Sequence, residues 1–263
     1  MGTAILAGLM SNGVDASEVV ASTKTEATAS RLADEFGITA IATETNAAAN
    51  AEAVVDADIV LVAVKPGYVI EVLTQVAGIL KPGSLVVSVA AGITTAAMQA
   101  TVADNVAVVR AMPNTPAIVG RAVTGLAAGS RVSPEQLATA SELFESVGRV
   151  VVVGEDQIDQ LSTVSGSGPA YVFYFIEEFT KAAVELGFTP DQARMLVEET
   201  FLGASELLAA SGKTPADLRR QVTSPNGTTM QAIAVFEQAN LHELFGRATA
   251  AALARAREIA AGK

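Results

Sequence analysis

An α/β fold, with a doubly wound parallel sheet followed by an all-helical domain, is the architecture these residues predict, and three observations predict it. Short apolar runs rich in β-branched residues alternate with helix-like stretches through the first half of the chain. Those runs are apolar almost throughout, as strands covered by helices on both faces must be. After Gly154 the β-branched runs stop and helix punctuation takes over.

The clearest strands are expected at residues 18–22, 58–64, 84–90, 106–110 and 150–153, with helices at 25–36, 67–80 and 134–147 among them. The change of pattern divides the chain into a sheet domain suited to a dinucleotide, residues 1–154, and an all-helical domain, residues 155–263. In the second half, Thr189-Pro190-Asp191 and Thr214-Pro215-Ala216-Asp217 each place a capping hydroxyl before a proline at the first helical position, with an acid near the positive helix end. Gly187 and Gly212 precede them as helix stops. The run Tyr171-Val172-Phe173-Tyr174-Phe175-Ile176 is apolar on every side and must be covered. Two readings stand: a central core helix, or a helix at a subunit interface.

Composition narrows the chemistry. Half of the 263 residues are hydrophobic, enough for a sizeable core, yet no apolar run approaches the ~20 residues that cross a bilayer. A cytoplasmic protein is expected. Cysteine is absent and His242 is the single histidine, so disulfides, thiolate catalysis and a transition-metal centre are not expected. With 28 acidic against 17 basic residues, the net charge of -11 repels a polyphosphate backbone, which argues against nucleic acid as a partner.

The start, Met1-Gly2-Thr3-Ala4-Ile5-Leu6-Ala7-Gly8-Leu9, reads as the last glycine of a dinucleotide fingerprint running into a helix. The strand and the two glycines that precede such a helix in a Rossmann-type sheet are not in this sequence. Roughly ten further residues are therefore expected in the natural gene product, with a strand of ~5–6 residues, and weakened cofactor binding is expected without them. A gap between the runs at 18–22 and 58–64 follows from the same reasoning.

At the end of the first expected strand, Ser22-Thr23-Lys24 offers two hydroxyls and an ammonium where an NAD site carries an acid. These residues suit the 2′-phosphate of NADP, so NADPH is expected to be preferred, with NADH possible as well; Lys24 as a plain solvated charge is the alternative. The strand before Ala63-Val64-Lys65-Pro66 stops abruptly at a proline, and Ala90-Ala91-Gly92 ends another strand in small residues that let backbone approach a flat ring.

The run Gln221-Val222-Thr223-Ser224-Pro225-Asn226-Gly227-Thr228-Thr229-Met230-Gln231-Ala232-Ile233 closely resembles the signature of pyrroline-5-carboxylate reductases. The resemblance extends to Ala63-Val64-Lys65-Pro66, Ala90-Ala91-Gly92, Met112-Pro113-Asn114-Thr115-Pro116 and Ser165-Gly166-Ser167-Gly168-Pro169-Ala170-Tyr171, in order along the chain. It implies reduction of a cyclic imine to L-proline, and a homodimer formed by the helical domain, with dimers assembled into larger rings. It also implies cofactor contacts at Gly2, Thr23, Asn50, Ala63 to Pro66 and Ala90 to Gly92. The substrate loop falls on Ser224, Pro225, Asn226, Gly227, Thr228 and Thr229, with Ser224 and Thr229 as the candidate catalytic hydroxyls. A helix start near Thr229 offers free N–H groups and partial positive charge to a carboxylate. The competing reading is a capped helix start, in which Ser224 or Thr229 merely satisfies backbone donors.

Hydride transfer to a protonated C=N bond demands alignment and a hydrogen bond to nitrogen more than a strong acid or base. That fits a loop of hydroxyls and amides without His, Cys or a carboxylate pair. His242 is read as structural or exposed. Two rivals remain. A β-hydroxyacid dehydrogenase needs a lysine one turn into the helix after the glycine-rich segment, whereas the first lysine here is Lys181, more than two turns later. A catalytically silent NADP-binding regulator is the other.

Overall fold

The computed structural model describes residues 1–260. Helix α1 (Gly2–Ser11) leads through a short turn to β1 (Val20–Thr23), α2 (Glu26–Phe36) and β2 (Thr39–Ala42). The alternation continues with α3 (Ala49–Val54), β3 (Ile59–Val62), α4 (Val69–Val76), β4 (Leu85–Ser88), α5 (Thr95–Gln99) and β5 (Ala107–Met112). Then come β6 (Ala122–Ala128), α6 (Pro134–Glu145), β7 (Gly148–Val152) and α7 (Glu155–Leu161). Helices α8 (Gly168–Glu185), α9 (Pro190–Ser211), α10 (Pro215–Gln221), α11 (Thr228–Gln238) and α12 (Leu241–Ala260) follow, and no strand is present among the described residues after β7. None of these helices is long and apolar enough to cross a membrane.

Strands β1 and β2 form a parallel pair of their own, while β3-β4-β5-β6-β7 make a second sheet in that order. Strand β1 does not pair with β3, so the two runs stay apart and no other described strand lies between them. Two strands were not expected, β2 and β6. Alanine makes up two of the four residues of β2 and three of the seven of β6, which also holds a glycine, and these residues dilute the β-branched signal. The sheet is also not wholly parallel, because β6 runs antiparallel to β5. Its connection, residues 113–121, holds two prolines and is too short for the crossover of about a dozen residues that a parallel return requires.

Alternation along the strands explains the two-sided core. Leu85 and Val87 of β4, with Ala107, Val109 and Ala111 of β5, face Ile5 of α1 and Phe144 of α6. Val86 and Val108 point the other way, toward Leu73 and Val76 of α4 and Met98 of α5. Arg110 shares the face of Val108 and is nevertheless only 3% exposed. Local signals set the helix ends: Thr25 accepts from the Thr28 N–H to start α2, and left-handed Gly37 stops it. The expected caps at Thr189 and Thr214 and the left-handed stops at Gly187 and Gly212 are all present.

The chain divides into two compact units, Met1–Ser167 together with Ala252 onward, and Gly168–Ala251. By packing, the boundary between these units lies at Gly168, with α7 on the side of the sheet. The reason is packing and charge: Leu161 of α7 lies against Gly125 of β6, and Glu155 and Asp159 bind Arg110 of β5, so α7 stays with the sheet.

In the helical unit the buried core is small, Ala183, Ala193 and Val197, with Ile176 and Phe201 packed beside it. Tyr171 to Ile176 does not form a central core helix within the chain. Phe173 is 66% exposed and Tyr174 60%, and Phe179, Leu186, Leu202 and Phe236 are exposed as well.

Candidate functional site

In the first unit, the carboxyl ends of β1, β3 and β4 carry the expected nucleotide residues. At the β3 end, Ala63, Val64, Lys65 and Pro66 are exposed, and Pro66 opens a short turn closed by the Tyr68 N–H donating to the Lys65 carbonyl. Gly2, the first residue of α1, sits against this exit: a Cβ there would lie 3.0 Å from Ala63 Cβ. This is the close helix-to-strand approach for which a dinucleotide turn needs its last glycine. The α1 start has no side-chain cap, so its first N–H groups remain open to an anion. At the β4 end, Ser88 Oγ accepts from the Ala90 N–H, Ala91 is exposed, and Gly92 takes a φ of +77°. Only a residue without a side chain adopts that turn readily. These features fit a dinucleotide.

The β1 end departs from the expectation. Ser22 Oγ donates to Asn50 Oδ1 at 2.8 Å, bringing two predicted residues together, while Asn50 Nδ2 donates to Gln75. Thr23 Oγ1 donates to the Thr25 carbonyl. Both hydroxyl hydrogens are therefore directed into the protein. Lys24 is exposed and free of ion pairs among the described residues. An acid from outside the Ser22-Thr23-Lys24 segment reaches this place: Glu44, just past β2, accepts a hydrogen bond from the Glu26 N–H at the start of α2.

A small cavity of about 90 Å³ lies beside Ala91 and Gly92, lined also by Arg110, Met112, Asp159, Ser162 and Ala256. Arg110 donates to Glu155 at 2.8 Å and Asp159 at 2.7 Å, and its Nε has no partner. After α7 the helix widens into a π-type turn, Ser162–Gly166, with the Ser167 N–H reaching back to the Ser162 carbonyl. Buried Asn114 grips this turn, donating to the Ser165 carbonyl and accepting from the Val123 N–H. The motifs at 112–116 and 165–171 thus meet through one carboxamide. Neither Arg110 with its two acids nor Glu44 is among the expected site residues. An arginine alone in an otherwise apolar strand was the one available signal for the former.

In the helical unit, Ser224-Pro225-Asn226-Gly227 forms a turn in which the Gly227 N–H donates to the Ser224 carbonyl. Proline in second place and Asn226 at a φ of +60° match a type II turn. Gly227 packs tightly here: a Cβ there would stand 2.5 Å from Ser224 Oγ and 3.1 Å from the Ser224 carbonyl oxygen, so a larger residue would push the Ser224 side chain aside. Helix α11 begins at Thr228, one residue before the expected start, and has no side-chain cap. The capped-start reading of Ser224 and Thr229 is therefore not what the structure shows. Thr180, Thr200 and Thr249 bond back to the carbonyl four residues earlier. Thr228 and Thr229 stand in the first turn, where no such helical carbonyl exists, and their hydroxyls have no partner among the described residues. The loop thus presents two free hydroxyls and a row of free N–H groups.

Comparison with known proteins is decisive at this point. Residues 155–259 match the family described as pyrroline-5-carboxylate reductase dimerisation, and residues 1–92 match NADP oxidoreductase coenzyme F420-dependent. The pyrroline-5-carboxylate reductase of Pseudomonas aeruginosa is 40% identical over 261 residues, which cover 99% of this chain and 93% of the relative. The chain belongs to the pyrroline-5-carboxylate reductase family. A pyrroline-5-carboxylate reductase structure from Coxiella burnetii matches with a TM-score of 0.92 at 37% identity, covering 98% of this chain and 94% of that one. The Plasmodium falciparum pyrroline carboxylate reductase, solved with NADP bound, shares the fold with a TM-score of 0.80 at 24% identity, over 99% of this chain and 94% of its own.

Family membership sets aside the hydroxyacid dehydrogenase, and Lys181 agrees. Its ammonium lies 2.7 Å from Glu178 and 3.0 Å from Glu177 on an exposed face of α8. The hydrogen bond to Glu178, then that to Glu177, pushes its pKa up, the opposite of a lysine poised to exchange a proton. His242, exposed on α12, is no better placed as a proton-transfer group.

Proposed function

We propose that this chain reduces 1-pyrroline-5-carboxylate to L-proline with NADPH or NADH, the last step of proline biosynthesis, and works as a homodimer. The observation that carries the reading is the uncapped start of α11, where the hydroxyl of Thr229 and the first N–H groups are free in a family whose relatives bear this activity by name. The bound nicotinamide supplies the hydride. The chain's own residues bind and orient. The N–H groups and partial positive charge of the α11 start hold the substrate carboxylate, with Asn226, Gly227 and Thr228 shaping the turn. Thr229, supported by Ser224, hydrogen-bonds the ring nitrogen and fixes the ring. The imine nitrogen takes its proton from water before reduction, the C=N carbon gains the hydride, and the ring leaves as a secondary amine. No side chain has to change protonation state, which suits a loop of hydroxyls and amides.

In the cofactor half, Gly2, Asn50, Ala63, Val64, Lys65, Pro66, Ala90, Ala91 and Gly92 shape the dinucleotide cradle, and Ser22, Thr23 and Lys24 lie at the adenosine ribose. The test is NADPH oxidation with pyrroline-5-carboxylate, with proline measured directly. Stoichiometric proline is expected, and cofactor binding without proline would leave the silent regulator as the correct reading.

The homodimer rests on the exposed apolar side chains of α8 and α9, such as Phe173, Phe179 and Leu202, whose composition is that of an obligate interface core. Light scattering is expected to give twice the chain mass, or an even multiple if dimers close into a ring. An active monodisperse monomer would contradict it.

A further inference from the structure

The most informative feature outside this reading is the acid at the β1 end. Beyond β2 the chain continues alongside the turn from β1 to α2: the Thr43 N–H donates to the Thr23 carbonyl, the Glu44 N–H to the Lys24 carbonyl, and Thr43 Oγ1 also to the Lys24 carbonyl. Residues 43 and 44 are thereby fixed against residues 23 and 24 by backbone. From this position the Glu44 carboxylate takes the first N–H of α2, through Oε1, and the neighbouring Thr45 hydroxyl donates to Glu26 at 2.9 Å. Two carboxylates, Glu44 and Glu26, therefore stand at the β1-to-α2 turn that carries Lys24, whose ammonium pairs with neither. The hydroxyls of Ser22 and Thr23 already donate elsewhere.

We propose that Glu44 is a specificity-determining residue: its carboxylate occupies the amide that a 2′-phosphate would otherwise take, repels that phosphate, and leaves Oε2 to accept a free ribose 2′-hydroxyl. The inference rests on the proposed placement of the adenosine ribose at the β1 end. It follows from charge alone that an acid held at this point disfavours a dianion and suits a hydroxyl. The chain therefore discriminates weakly between the phosphorylated and unphosphorylated cofactor, instead of strongly preferring NADPH.

The probes are 2′,5′-ADP and 5′-ADP, titrated calorimetrically against the whole protein, its Glu44→Gln variant and its Lys24→Ala variant. Glu44→Gln keeps the acceptor for the Glu26 N–H and removes only charge at an exposed position, so the fold is retained. The ratio of 2′,5′-ADP to 5′-ADP affinity is expected to rise about tenfold in Glu44→Gln, and the gain to shrink in 1 M salt as surface charges are screened. In Lys24→Ala the same ratio is expected to fall. A ratio unchanged in Glu44→Gln but lowered in Lys24→Ala would overturn the role of Glu44 while leaving the ribose at β1. A ratio unchanged in both would overturn the placement itself, and the proposal with it. Equal gains for both nucleotides in Glu44→Gln would also overturn it, since a general change in net charge moves both alike.

Discussion

Thr229→Ala is expected to lower kcat with pyrroline-5-carboxylate by roughly 5- to 150-fold, corresponding to about 1–3 kcal/mol for a hydrogen bond to the reacting imine. Folding and nucleotide affinity are expected to stay nearly unchanged. The reason is structural: the Thr229 hydroxyl has no partner among the described residues, so its removal strands no buried donor or acceptor. Thr229→Ser is expected to recover most of the loss, because it returns the oxygen without the methyl. Stopped-flow and steady-state kinetics on the three proteins provide the check. Equal kcat values for alanine and threonine would remove this hydroxyl from the mechanism and leave the N–H groups of α11 alone to hold the substrate.

Arg110→Met is expected to destabilise the protein by about 3 kcal/mol, the lower part of the range for breaking a buried pair from one side. The lower part applies because Glu155 and Asp159 retain 31% and 27% of their side-chain exposure, whereas the arginine side chain retains 4%. Methionine fills much of the volume, so the loss reports the uncompensated acids rather than a void. Adding Glu155→Gln and Asp159→Asn should restore part of the stability, as neutral amides no longer need the cation. Urea unfolding of the single and triple variants measures both. A single variant within 1 kcal/mol of the parent would mean that α7 is held to the sheet by Leu161 and its neighbours instead.

Much of the fold was legible because its signals are local. Thr189, Thr214 and Gly212 announce helix ends within a few residues, and the strands centred on Leu61, Val87 and Val109 are apolar enough to be read unaided. Strand β2 was not legible: Thr39-Ala40-Ile41-Ala42 has one strongly β-favouring side chain in its apolar positions and is a strand because β1 lies beside it. The direction of β6 was set by the brevity of the preceding connection, a constraint on geometry that no residue of the strand displays. The same distinction separates the parts of the site. The substrate loop is contiguous, Ser224 to Thr229, and can be read as a word. Glu44 stands some distance along the chain from Lys24, and only the parallel pairing of β1 with β2 makes them neighbours. Glu26 stands two residues from Lys24 in the sequence, whereas Glu44 comes from beyond the next strand and only the fold brings it there.

The course of α12 bears on how the protein is made. Its residues from Ala252 onward belong to the first compact unit, and Ala256 lines the cavity beside Ala91 and Gly92. During synthesis the sheet emerges from the ribosome early, yet the last wall of its own cavity is translated almost at the end. Contacts so remote in sequence form late, after the entropy of closing the intervening chain has been overcome. The nascent sheet consequently waits, with the cavity beside Ala91, Gly92 and Met112 still open, through the synthesis of every helix from α8 to α11. Apolar surface left uncovered in that interval invites association with other chains. The yield of native protein should accordingly depend on how quickly translation reaches the closing helix, and slow codons within residues 168–251 should favour aggregation.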